Sequence, residues 1–257
     1  MGSTIAESSA ASSNNARIRT IRSIQRRTIA QSPASIRENR RLKSPARVQC
    51  CGMTREEIAN TISHGLGLVL ALVAVPILIA AAMPAGNIHF TVGVSVFGGT
   101  MVLLYLASTL YHSLTHEAAK QLFRLFDHTA IFLLIAGTYT PFSLGVLRGP
   151  WGWSLLAAIW TLAIVGITLK VRKRTRHSSI CIALYVIMGW LAVVAVKPML
   201  MLIPVPGILL IVAGGIAYTG GLAFFAAQRI RYNHFIWHLF VIAGTTCHFF
   251  AVLWYSY

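Results

Sequence analysis

The sequence predicts an all-α membrane protein: a bundle of seven transmembrane helices with its N-terminus in the cytosol and its C-terminus outside. Three observations carry that expectation. Of 257 residues, 56% are hydrophobic and only 11% charged, which is too apolar for an ordinary soluble domain. From residue 58 onward the chain divides into apolar stretches of the ~20 residues that a helix needs to cross a bilayer. Lysine and arginine then gather in alternate connections, which orients the bundle.

The seven spans are expected at about 60–82, 90–113, 127–147, 151–170, 179–200, 205–227 and 235–256. Each break has its own chemistry. Pro84 to Asn87 is a turn, Thr115 to Arg124 is charged, and Arg148-Gly149-Pro150 forms a corner. A basic cluster runs from Lys170 to Arg176, Pro198 and the Pro204–Gly207 turn interrupt the next region, and Arg229 and Arg231 precede the last span. One side of the bundle collects 20 lysines and arginines, counting the N-terminal tail, and the other has only Arg148 and Lys197. Cytoplasmic connections carry the positive excess, so the tail is expected inside.

Residues 1–53 are rich in Ser and Arg and poor in acids, as in a disordered cytosolic tail ahead of a membrane domain at 54–257. Ile18, Ile21 and Ile24 fall among arginines at three-residue spacing. That pattern also suits organellar targeting or a helix drawn to anionic lipid. The net charge of +16 resides in this tail and in short connections, so it reads as a topology signal and not as a nucleic-acid surface. Cys50 and Cys51 are a palmitoylation candidate or two free thiols. The four cysteines have no C-x-x-C spacing, which argues against a disulfide framework or a thiolate metal site. The expected location is an integral, multi-pass place in the plasma membrane or an endomembrane.

Within the apolar region only Glu117 and Asp127 carry negative charge after residue 57. Ionisable residues inside a membrane segment are costly and mark function by default. The predicted orientation brings His112 at the end of the second helix, Asp127 at the opening of the third, and His234 and His238 at the start of the seventh to one membrane face. A four-residue step turns a helix by only about 40°, so His234 and His238 share a face, as do Ser108 and His112. Three neutral imidazoles with one open position form the usual catalytic zinc arrangement. Asp127 could be a fourth ligand, or could offset the ion's charge and handle the proton of a bound water, with Ser108 supplying a hydrogen bond. Glu57, Asn60 and His64 lie within about 60° on the first helix. They either line the interior beside that site or only cap and charge-complement the helix start.

Several stretches are recognisable as a set: E56-E-I-A-N-T-I-S-H-G-L-G67, S108-T-L-Y-H112, F126-D-H-T-A-I-F-L-L-I-A-G-T-Y-T-P-F142, R148-G-P-W-G-W153 and H234-F-I-W-H-L-F-V-I-A-G-T-T-C-H-F-F250. Through them the chain resembles the hemolysin III branch of the progestin and adiponectin receptor family, related to alkaline ceramidases. The resemblance covers about 55–257 and leaves the basic tail aside. It implies a zinc ion near the inner face, held by His112, His234 and His238, with Asp127 contacting the bound water and Ser108 beside it. It also implies a zinc-dependent hydrolase of a ceramide-like or other lipid amide or ester. Two alternatives stand beside that reading: a signalling or membrane-lipid-homeostasis protein with structural zinc, and a pore-forming haemolysin-like protein. A transporter places its polar residues near the bilayer midplane, unlike this set, and the seventh helix has no lysine for a retinal Schiff base.

Overall fold

The computed structural model describes residues 53–173, 179–227 and 229–257. The expectations for the tail, and for Cys50 and Cys51, fall outside these residues. Among the described residues there are helices and no strands. The helices are α1 (Arg55–Ala82), α2 (Ile88–Ser113), α3 (Glu117–Leu144), α4 (Pro150–Lys173), α5 (Ser179–Gly189), α6 (Val196–Leu202), α7 (Val205–Ala226) and α8 (Asn233–Tyr255). A 3-10 turn at Leu191–Ala195 joins α5 to α6, and together they make one span, giving seven segments long and apolar enough to cross a membrane. The protein is a multi-pass integral membrane protein.

Local chemistry sets the helix starts. Thr54 accepts a hydrogen bond from the Glu57 amide at 3.1 Å, and Glu56 and Glu57 occupy the first turn of α1, where acids suit the helix dipole. Asn87 caps α2 by accepting from the amides of His89 and Phe90. Pro150 opens α4, the position where a missing N–H costs nothing. Asn233 donates its side-chain amide to the carbonyls of Phe224 and Phe225 at the end of α7, which fixes where α8 begins.

α2 packs along both α1 and α3, and α8 packs along α7 and α1. Large apolar side chains such as Leu66, Val69, Leu70 and Val73 on α1 face outward, as a surface solvated by lipid allows. Helices in lipid come together on small residues. At Gly93 an added Cβ would lie 2.8 Å from the Pro141 Cα, so α2 and α3 touch backbone to backbone.

Two expected boundaries are corrected. The charged stretch ahead of Asp127 is not a connection: α3 starts at Glu117, so Asp127 lies ten residues, or about 15 Å, along the helix and does not open it. Hydropathy finds where a helix becomes apolar, while Glu117, Lys120 and Arg124 are good helix formers beyond that point. The fifth span is also not continuous. Its broken backbone is bridged by Tyr139, whose hydroxyl donates to the Met188 carbonyl at 2.8 Å, with the Gly189 carbonyl at 3.0 Å, and accepts from the Ala192 amide at 3.0 Å. Backbone groups left open at this depth find no water. Tyr139→Phe is therefore expected to lower stability by about 2 kcal/mol, read as an earlier thermal unfolding midpoint in detergent with the metal content unchanged.

Candidate metal centre

The start of α1, the end of α2, the third turn of α3 and the start of α8 meet at one end of the bundle. His112 arrives on the last turn of α2, and His234 and His238 lie on consecutive turns of α8. Their ring centroids stand 5.0, 5.1 and 4.6 Å apart. One ligand nitrogen from each lies within 4.8 Å of the others, close enough for the three to hold a metal ion. His112 and His238 are buried and His234 is half-buried.

Hydrogen bonds decide which nitrogen two of the rings offer. The Nδ1–H of His112 donates to Glu57 Oε2 at 2.5 Å, since a carboxylate accepts, and this leaves Nε2 with its lone pair. That Nε2 faces the Nε2 of His234 at 3.1 Å. Two lone pairs at this distance repel unless a cation or proton lies between them. Two nitrogens on one tetrahedral zinc, each at about 2.05 Å, stand about 3.3 Å apart, so the spacing fits a shared ion. On α1 the Ser63 hydroxyl donates to the Asn60 carbonyl at 2.9 Å. It therefore accepts from His238 Nδ1 at 3.1 Å, which again leaves Nε2 for the ion. Glu57 in turn pairs through Oε1 with Lys120 at 2.7 Å.

Asp127 is buried, lies within electrostatic reach of His112, and has His128 Nδ1 at 3.6 Å. Ser108 lies beside its carboxyl, although the hydroxyl is outside hydrogen-bonding geometry. An apolar cavity of about 100 Å3 begins at His234, His238 and Asp127 and runs between α3, α5, α7 and α8. On the other side of the histidines a polar vestibule of about 480 Å3 is lined by Glu56, Glu57, Asn60, Arg124 and Asn233. The cluster thus stands where a polar space meets an apolar one.

The family model described as haemolysin-III related matches residues 53–249. The chain belongs to the haemolysin-III-related family. "Hemolysin-3" of Bacillus cereus is 50% identical over 204 residues, covering 78% of this chain and 92% of that protein. "Hemolysin-3 homolog" of Bacillus subtilis (strain 168) is 44% identical over 201 residues, covering 78% and 94%. "Monocyte to macrophage differentiation factor" of Homo sapiens is 24% identical over 212 residues, covering 79% and 85%. The hemolysin III resemblance carried by the motifs is borne out.

For this haemolysin-III-related chain, the structure brings the site residues expected from sequence to one end of the bundle. Asn60 and His64 are buried, and the Glu57 carboxylate turns toward His112 and Lys120 while Thr54 caps the helix in its place. Ser63 and Lys120 were not foreseen. Ser63 stands out as a polar residue in an apolar helix, but no spacing links it to a histidine 175 residues away. Lys120 read only as a topology charge.

Proposed function

We propose that this protein is a zinc-dependent hydrolase of a lipid amide or ester, ceramide-like in build. The observation that supports it best is the placement of three histidines, close enough to hold one ion, at the junction of an apolar cavity and a polar vestibule. The cavity of about 100 Å3 takes the first few carbons of an acyl chain, which places the carbonyl beside the histidines and the head group in the vestibule. His112, His234 and His238 hold the ion, and three nitrogen ligands with room for a fourth position are the catalytic zinc pattern. When bound, zinc supplies a Lewis acid that polarises a carbonyl and makes water a better nucleophile.

The chain's own residues do the rest. Glu57 and Ser63 lock the ring orientations of His112 and His238. Asp127 takes a proton from the water that attacks the carbonyl carbon and returns it to the leaving nitrogen as the C–N bond breaks. Ser108 lies beside that carboxylate. The apolar walls exclude competing water. Purified zinc-loaded protein incubated with long-chain ceramides should release fatty acid, and a chelator should stop the release until zinc is restored. No release from any ceramide or lipid ester by zinc-loaded protein would remove the reading.

The proposed orientation puts the histidine end in the cytosol, with the basic tail attracted to anionic lipid of the inner leaflet. A reporter fused after Tyr257 should be accessible only from outside; cytosolic accessibility would reverse the topology. The names of the two Bacillus relatives favour a second reading, membrane lysis. Dye-loaded liposomes decide between them, since lysis without fatty-acid release would leave only the second.

A further inference from the structure

His64 is buried to 2% exposure, yet neither ring nitrogen makes a hydrogen bond. The His238 backbone lies nearby but outside bonding geometry. The ring is held on two sides: its face stacks on His238 at 3.5 Å with an 11° tilt, and Tyr105 meets it edge-on at 5.1 Å. The same side chain lines the apolar cavity together with Leu104, Leu134, Trp237 and Val241. A buried imidazole with open nitrogens costs stability, and every other ring of the cluster has its Nδ1 or Nε2 engaged.

We infer that His64 is the group that recognises the polar end of a long-chain ligand, by hydrogen bonding to the carbonyl or hydroxyl next to the hydrocarbon chain. This rests on the reading of the cavity as a lipid site. The chemistry is selective in one direction. A pure hydrocarbon gains nothing from an imidazole among apolar walls, whereas a chain ending in an amide, ester or acid satisfies a group that the protein itself leaves open. The fixed ring plane keeps the rotational cost of that bond low. His64 stacks on His238 and makes no hydrogen bond to it, so it can serve the ligand without being needed by the metal.

The test uses His64→Phe, which keeps the ring and its stacking but removes both nitrogens. The probes are a hexadecanamide carrying a terminal diazirine and the corresponding diazirine alkane, photolabelling the zinc-loaded full chain. For the amide, half-saturation in His64→Phe should rise about tenfold, equivalent to about 1.4 kcal/mol, with the alkane and the zinc stoichiometry unchanged and the melting temperature no lower than in the wild type. Equal half-saturation for the amide overturns the inference, as does loss of zinc from the variant, which would make His64 a support of the metal. If His64→Phe does not fold, His64→Leu carries the same expectation. Fatty-acid release by the wild type is scored in the same samples. Its absence beside weakened amide binding removes the hydrolase reading and leaves the role of His64 standing.

Discussion

His238→Ala should weaken zinc binding more than a hundredfold and, with it, cut fatty-acid release from lipid amides. His238 is 1% exposed and, among the described residues, is one of the three histidines whose nitrogens lie close enough together to hold one ion. Zinc sites with four ligands bind with apparent free energies of about 10–16 kcal/mol, so one ligand accounts for about 3 kcal/mol, more than a hundredfold in affinity. The two remaining imidazoles leave the ion two positions short, and no other histidine of α8 replaces the lost one. His248 is the control that separates this loss from damage to the helix. It lies on the same helix and lines the same cavity, but it is engaged with the Ile211 carbonyl at 3.1 Å, so His248→Ala should retain zinc. Metal analysis of both purified variants checks the pair, and full zinc occupancy in His238→Ala would contradict the assignment of ligands.

The same histidines show why part of this site is legible in sequence and part is not. His234 and His238 form a pair by helical periodicity alone, because four residues return nearly to the same face. His112 joins them only through topology, which loop charges and seven apolar runs supply. Hydropathy located every span because the bilayer imposes length and apolarity, but it placed the start of α3 ten residues late, since charged residues at a membrane surface extend a helix without adding to its apolar signal. The break in the fifth span escaped notice because Leu191–Ala195 is as apolar as its flanks and the Tyr139 bridge comes from another helix. The Glu57–His112 bond spans 55 residues; the face shared by Glu57, Asn60 and His64 hinted at an inward role, but periodicity along one helix cannot name a partner on another.

That bond leads to the second large effect. Three neutral imidazoles leave a divalent ion uncompensated in a poorly polarisable bundle, where charge is expensive. Glu57, bonded to His112, and Asp127, within electrostatic reach of it, place two carboxyl groups beside the cluster, while Lys120 meets Glu57 at its half-exposed outer side. Glu57 also makes His112 a stronger donor by accepting from its Nδ1–H. Removing it in Glu57→Ala takes away both contributions, so zinc affinity should fall about 10- to 100-fold, measured by competition with a chromophoric chelator. Lys120→Ala removes only the outer partner, a solvent-screened pair of small worth, and should change affinity less than about threefold. If both variants weaken zinc equally, the effect comes from the ion pair that ties α1 to α3 and not from the carboxylate behind His112. If Glu57→Ala alone does so, the carboxylate acts directly on the ligand.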